Sequence, residues 1–187
     1  MNDQIILAAD DQGNFTGEYL PRMEGHIGEG KRHLGITILL FNDQGQVLLQ
    51  RRKHLVFDDV WCFTADTHLL HQPDGHDESL EQAIKRCLAV EYNITQPVEI
   101  QNLGSYNYEA TDGDLGENQQ AVLCENEHCF MIIGEYNGQF ELNPQVGYES
   151  KWMSKQQFLN DVTQNPQKYA PWIPGGIEIL KQANFFN

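Results

Sequence analysis

Six side chains have types and spacings suited to holding a divalent cation. His26 and His33 lie seven residues apart, with Gly28 and Gly30 between them, and His68 ends the run Trp61-Cys62-Phe63-Thr64-Ala65-Asp66-Thr67-His68. Glu125 and Glu127 alternate in Cys124-Glu125-Asn126-Glu127, so on a strand they face one side. Glu91 ends a helical segment. Three imidazoles and two carboxylates suit manganese, iron, zinc or magnesium, and the nitrogen donors tilt the set away from magnesium alone. Each member also has an ordinary reading. An isolated histidine is usually a surface or hydrogen-bonded residue, and two acids at this spacing usually mark a solvated strand face. Nothing in the spacing says that the groups converge. His54, His71, His76 and His128 read as residues without such a role, the middle two within the loop His71-Gln72-Pro73-Asp74-Gly75-His76-Asp77.

The elements that must position these groups follow from local patterns. Ile5 to Ala9, a turn at Asp10 to Asn14 and a run from Phe15 read as a hairpin. Ile36 to Phe41, the turn Asn42-Asp43-Gln44-Gly45 and Val47 to Gln50 read as another. Asp77 to Val90 is the clearest helix. Leu80, Ala83, Ile84, Cys87 and Leu88 make one apolar stripe, Asp77 or Ser79 caps the start, and Asn93 suits a left-handed stop. Further strands are expected at Val98 to Leu103, Ser105 to Glu109, Cys129 to Tyr136 and Tyr148 to Met153. A short helix is expected from Ser154 and a helical tail over Gly176 to Asn187. Strands before and after a central helix predict an α+β architecture, a mixed sheet with helices on its faces and an added N-terminal hairpin. With no linker or low-complexity stretch, one domain over 1–187 is expected.

At 187 residues the chain is long enough for a real hydrophobic core, and 40% hydrophobic and 10% aromatic content argue against disorder. Charge is the unusual feature. Twelve Lys and Arg against 27 Asp and Glu give a net charge of −15. Such a surface repels nucleic acid and anionic lipid, so neither is an expected partner. It repels a diphosphate as well, so an enzyme of this charge that binds one needs divalent metal. No apolar run approaches membrane-spanning length, and Met-Asn-Asp-Gln lacks a signal-like start, so a cytoplasmic protein is expected. Cys62, Cys87, Cys124 and Cys129 include no Cys-x-x-Cys pair and read as buried reduced thiols. No feature of the sequence sets an oligomeric state.

Taken together, His26 to Phe41, Leu48-Leu49-Gln50-Arg51-Arg52, Trp61 to His68, Glu78 to Ile94 and Cys124 to Glu127 resemble the type 1 isopentenyl diphosphate isomerases, a branch of the Nudix fold. The motifs are individually weak but specific as an ordered set, and the resemblance runs from about residue 3 to Trp172. The helix also resembles a Nudix box aligned on Glu78, Arg86, Glu91 and Ile94, with departures. Gln72 stands for the leading Gly, Cys87 and Val90 for two acids, and Asn93 for the late Gly. Nudix hydrolases use those missing acids to bind metal and activate water, so the departures point toward the isomerase branch.

The resemblance implies that His26, His33, His68, Glu125 and Glu127 hold a first divalent metal (manganese, zinc or iron), and that Glu91 helps place magnesium on the diphosphate of a small-molecule substrate. It implies that Arg22 and Arg52 contact the diphosphate, that Tyr108 orients the catalytic carboxylate, and that Trp172 faces a carbocation. Trp172 also has the commoner reading of a core or rim tryptophan. The implied reaction, from isoprenoid biosynthesis, adds a proton to one end of an alkene and removes another from an allylic carbon. It needs an acid and a base flanking the hydrocarbon, and exclusion of water. An indole face stabilises a desolvated cation by about 2 kcal/mol.

The family's essential cysteine, two residues before the third histidine, is Asp66 here. A carboxylate is a competent base beside a carbocation, with Glu127 then the proton donor; alternatively Asp66 is a further metal or hydrogen-bond ligand. Cys62 lies about 13 Å from Asp66 if the segment is extended at ~3.3 Å per residue. A second family arginine is Cys87, and a family lysine after Arg52 has only Lys53 nearby, with His54 a poor substitute. The long loop from Leu69 to Asp77 is expected beside the site. Three functions compete: an isopentenyl diphosphate isomerase or close variant, a Nudix-type diphosphohydrolase on a nucleotide or isoprenoid diphosphate, and a non-catalytic metal- and diphosphate-binding protein.

Overall fold

The computed structural model describes residues 4–112 and 122–187. Its organising element is β3 (His33–Phe41), an almost wholly apolar strand. Ile36, Ile38 and Leu40 face one core layer while Leu39 faces the other, so the run is continuous because both sides of the sheet are covered. On one edge β3 runs parallel to β9 (Leu123–Glu135), which pairs antiparallel with β8 (Ile100–Asp112). On the other it meets β6 (Ala65–His68), β4 (Gln46–Arg52) and β1 (Ile5–Ala9). The chain also forms β2 (Phe15–Pro21), the single turn α1 (Arg22–Gly25), β5 (Trp61–Cys62) and β7 (Leu70–His71). β10 (Gly147–Ser154) pairs with β4, and β1 pairs with β2 and β7 as the expected N-terminal hairpin with an added strand.

Helices cover both faces of this mixed sheet. α2 (Leu80–Tyr92) packs Ala83, Ile84, Cys87 and Leu88 on the Ile36 side. On the other, α3 (Lys155–Gln164) and α4 (Ile173–Gln182) bring Phe158, Ile173, Ile177 and Leu180 against Leu39, Phe63 and Met131. A 3-10 turn over Pro166–Lys168 joins the two helices. Ser79 caps α2 in a reciprocal pair, its hydroxyl accepting from the Gln82 amide while the Gln82 side chain accepts from the Ser79 amide. Asp77 therefore lies outside the helix, and its carboxylate bonds His71 at 2.7 Å. Asn93 ends the helix at φ 52°, in the left-handed region.

Four expectations are corrected. The strands predicted at Val98 to Leu103 and Ser105 to Glu109 are one strand, β8, with an irregularity between Asn102 and Gly104. The predicted strand from Cys129 begins at Leu123, because β9 stays paired to β8 far beyond its apolar run. The tail helix starts at Ile173 and ends at Gln182, not over Gly176 to Asn187. The segment Trp61 to His68 is two short strands broken at Phe63-Thr64, where the Thr64 hydroxyl donates to Leu48 O and accepts from Leu40 N.

Arg86 on α2 ties the helix to the strand that carries His68. It makes two bonds to Glu78 at 2.7 and 2.8 Å and reaches Thr67 Oγ1 and the His68 carbonyl at 3.2 and 2.9 Å. Replacing Ser79 by Ala removes the cap and is expected to cost about 1 kcal/mol. Thermal unfolding should then show Tm lowered by about 2–4 °C; an unchanged Tm would mean the cap is dispensable.

Candidate functional site

Strand register gathers the histidines and acids. His33 on β3 lies opposite Glu127 on the parallel β9, and His68 on β6 lies opposite Gly35, two residues further along β3. Glu125 and Glu127 share one face of β9, as alternation requires. His26 follows α1, and its carbonyl accepts from the Cys124 amide at 3.0 Å, which fastens this turn to the start of β9. Gly35 makes the crossing possible. A Cβ there would stand 2.2 Å from Glu127 Oε2, so the missing side chain is the space the carboxylate fills.

The hydrogen bonds fix which nitrogens face inward. His26 Nδ1 lies 2.6 Å from the Arg22 carbonyl and His33 Nδ1 lies 2.8 Å from the Lys31 carbonyl. A carbonyl only accepts, so both Nδ1 atoms carry a proton, and in the neutral imidazole each Nε2 presents a lone pair to the cluster. His26 Nε2 meets Glu125 Oε2 at 3.0 Å, and Glu127 Oε1 lies 2.9 Å from His68 Nε2 and 3.5 Å from His33 Nε2. Among the described residues, His26 Nε2, His33 Nε2 and Glu125 Oε2 are buried without a hydrogen-bond partner. All five donor atoms fall within 4.8 Å of one another. A six-coordinate ion bonded at about 2.1 Å sets opposite donors about 4.2 Å apart, so the group fits a divalent cation. Burial holds the His68 pKa well below the ordinary imidazole value, which favours the neutral ligand form.

Beside this cluster opens a cavity of about 300 Å³. Asp66 lies on its wall; burial raises its carboxyl to a pKa of about 6 against the pull of Arg52 and a hydrogen bond from Thr37. Thr37 Oγ1 donates to Oδ1 at 2.9 Å, and Arg52 Nη1 stands 3.9 Å from Oδ2. Arg52 also donates to the Val56 carbonyl at 3.2 Å and lies 4.8 Å from the centre of the Trp172 ring. Tyr108, opposite Glu127 across β8 and β9, donates to Glu127 Oε2 at 2.8 Å and packs 5.8 Å from Trp172. Glu91 faces the same cavity, accepts from Gln50 Nε2 at 2.9 Å, and is raised by burial to a pKa of about 7. Arg22 lines it as well.

All eleven residues singled out from the sequence thus lie in the cluster or on this cavity: His26 and His33 in the cluster, the other nine on the cavity wall. Three further readings are corrected. His54, read as having no role, lines the cavity with Nε2 2.8 Å from Arg22 Nη2, whereas Lys53 reaches outward to the Pro144 carbonyl. Cys62 is beside the Asp66 carboxylate rather than an extended strand's length away, because the chain bends at Phe63-Thr64. The Leu69–Asp77 loop does not line the cavity; it is held by β7 pairing with β1 and by the Gln72–His76 backbone bond. Thr37 and Gln50 were missed, since their contacts depend on register and not on motif.

The NUDIX domain family matches residues 31–174. The isopentenyl-diphosphate Delta-isomerase of Citrobacter koseri is 27% identical over 179 residues, covering 92% of this chain and 90% of its own. That of Nocardia farcinica is 28% identical, with 95% of each chain covered. Among solved structures, DR0079 from Deinococcus radiodurans superposes with a TM-score of 0.65 at 14% identity, over 96% of this chain and 98% of its own. The MutT protein from Methanosarcina mazei gives 0.58 at 18%, over 82% and 95%. These two likenesses establish the fold.

Gly35→Ala should push Glu127 out of the cluster and weaken metal affinity by about 10–100-fold, read by chelator competition on folded protein; undiminished affinity would place the cation elsewhere. His54 gives a pH signature. Burial, with Arg52 and Arg22 nearby, lowers its pKa from 6.5 to about 3. The unfolded chain therefore binds this proton first, so the stability associated with neutral His54 is present above pH 6.5 and is lost as pH falls toward 3. In metal-stripped protein, His54→Gln should flatten the fall in unfolding free energy across that window, and an unaltered acid limb would contradict it.

Proposed function

This chain belongs to the NUDIX domain family, in its isopentenyl diphosphate isomerase-like branch, and on that premise we propose that it interconverts isopentenyl and dimethylallyl diphosphate, with Asp66 in place of the family cysteine. The observation that carries this reading is the joining of the five-ligand cluster to a cavity walled by Asp66, Tyr108, Glu127 and Trp172. In the proposed arrangement His26, His33, His68, Glu125 and Glu127 hold manganese, zinc or iron, and Glu91 helps place magnesium with the diphosphate. When bound, these ions supply positive charge that a chain of net charge −15 otherwise lacks for holding a diphosphate.

The chain's own groups divide the proton work. Glu127 is the proposed proton donor to the alkene, which calls for a strong acid. Tyr108 orients Oε2 through its 2.8 Å bond. Asp66 is the proposed base at the allylic carbon, and its pKa of about 6 makes it more basic than an ordinary carboxylate while leaving it ionised at neutral pH. Thr37 fixes one of its oxygens, leaving Oδ2 for the substrate. Trp172 is buried, with Phe57 edge-on at 5.8 Å, and this aromatic wall keeps water from the developing cation.

Hydrolysis is the weaker reading. Of the Nudix acids that remain, Glu78 is bonded to Arg86, Gln72 and the Leu70 amide and is absent from the cavity wall. Among the described residues, Glu91 is the one acid of α2 on the cavity wall.

Isotope exchange tests the proposal. With magnesium and manganese present, solvent deuterium should enter isopentenyl or dimethylallyl diphosphate, and Asp66→Asn should slow this by about 10²–10⁴-fold while Asp66→Cys retains measurable exchange. Release of phosphate without deuterium incorporation would replace the isomerase reading with the hydrolase one.

A further inference from the structure

In a chain with 27 acidic side chains, an arginine that has none beside it stands out. Arg32 pairs with Asp11 and Glu109, Arg51 with Asp59 and Glu149, and Arg86 with Glu78. Arg52 Nη1 faces Asp66 at 3.9 Å. Arg22, on the cavity wall, differs from all of these. Among the described residues its guanidinium bonds only neutral groups: Nη1 donates to Gln4 Oε1 at 3.2 Å and Nη2 donates to His54 Nε2 at 2.8 Å. The backbone doubles the first link, with the Arg22 amide donating to the Gln4 carbonyl at 2.8 Å. The His54 backbone is fixed by a hydrogen bond from its amide to Asp58 Oδ1 at 3.0 Å. Both ring nitrogens of His54 face donors, Arg22 Nη2 and, at 3.3 Å, the Val56 amide. An imidazolium accepts from neither, so the ring is neutral and takes the nearer donor at Nε2. Burial beside Arg52 and Arg22, which lowers the His54 pKa to about 3, agrees with this.

We infer that His54 and Gln4 are positioning residues, neutral acceptors that hold the Arg22 guanidinium at the cavity and leave its whole charge for the diphosphate. This rests on the reading that the cavity takes a small organic diphosphate. A carboxylate in either place would bond Arg22 more strongly. It would also cancel the charge and repel the phosphate oxygens of the substrate. A second cation there would drive Arg22 away. A neutral acceptor does neither. It also fixes a long side chain before the ligand arrives, so less ordering is left to occur on binding. With one acceptor on each Nη, most of the guanidinium N–H groups remain for phosphate oxygens. Arg22 also links the two halves of the site, since its carbonyl fixes His26 Nδ1 at 2.6 Å while its side chain lines the cavity. His54 therefore does not replace the family's lysine as a cation; it sets a cation already present.

The test is a double-mutant cycle between His54 and Arg22, read as calorimetric affinity for magnesium pyrophosphate on protein loaded with manganese. His54→Leu should weaken binding about tenfold, the loss of one hydrogen bond to a charged group. His54→Gln, which offers a neutral oxygen near the Nε2 position, should keep most of the affinity. In an Arg22→Ala background His54→Leu should change little, because His54 acts through Arg22. In deuterium exchange of isopentenyl diphosphate, the His54→Leu loss should fall on KM rather than on kcat. Undiminished binding by His54→Leu, an equal loss in His54→Gln, the same loss in the Arg22→Ala background, or a loss confined to kcat overturns the inference. Each of these leaves the isomerase proposal standing where exchange is seen. If His54→Leu does not fold, Gln4→Ala enters the same cycle at the other acceptor, with the same outcomes. A wild-type protein that binds neither magnesium pyrophosphate nor isopentenyl diphosphate overturns the diphosphate reading, and the inference with it.

Discussion

Three imidazoles and two carboxylates face one another in a buried cluster whose polar atoms are only partly satisfied by one another. His26 Nε2, His33 Nε2 and Glu125 Oε2 have no hydrogen-bond partner among the described residues. Two nearby carboxylates repel, and polar groups removed from water lose several kcal/mol of solvation unless something replaces it. A cation resolves both problems, and the fold is organised to present the donors to one. The rigid part is the pairing of β3 with β9, which sets His33 beside Glu127 and leaves Gly35 as the gap into which that carboxylate fits. The apolar layers on either side of β3 hold the pairing in place.

The neighbouring cavity inherits its character from the same strands. Asp66 lies two residues before His68 on β6, so the strand that delivers a cluster ligand also delivers the proposed base. Tyr108 reaches Glu127 from β8 by the same cross-strand logic. Arg86 and Glu78 occupy Nudix-box positions but act as a brace, locking α2 to the Thr67 hydroxyl and the His68 carbonyl. In this chain the box positions the metal strand more than it supplies acids, which matches the loss of two carboxylates at Cys87 and Val90. Arg52 and Asp66 give the cavity a polar centre beside the aromatic rings of Trp172 and Phe57.

Much of this was legible in the chain itself, wherever the determining interaction is local. Ser79 and Gln82 cap α2 through neighbours three residues apart, Asn93 stops it because its left-handed conformation suits that residue, and Glu125 and Glu127 share a face because strands repeat every two residues. The ligand types were also readable, since imidazole and carboxylate chemistry belongs to the side chain. Convergence of those ligands was not derivable from spacing and was expected only through family resemblance. What the fold alone decided was which faces meet. A period of two fixes a side chain's direction but not its partner, so His33 opposite Glu127, Thr37 on Asp66 and His54 beside Arg22 all depend on contacts between distant segments. The bend at Phe63-Thr64 brought Cys62 to Asp66, and pairing of β7 with β1 held the Leu69–Asp77 loop off the cavity. Both outcomes follow from packing and hydrogen bonds to residues far away along the chain, which no short window of sequence contains.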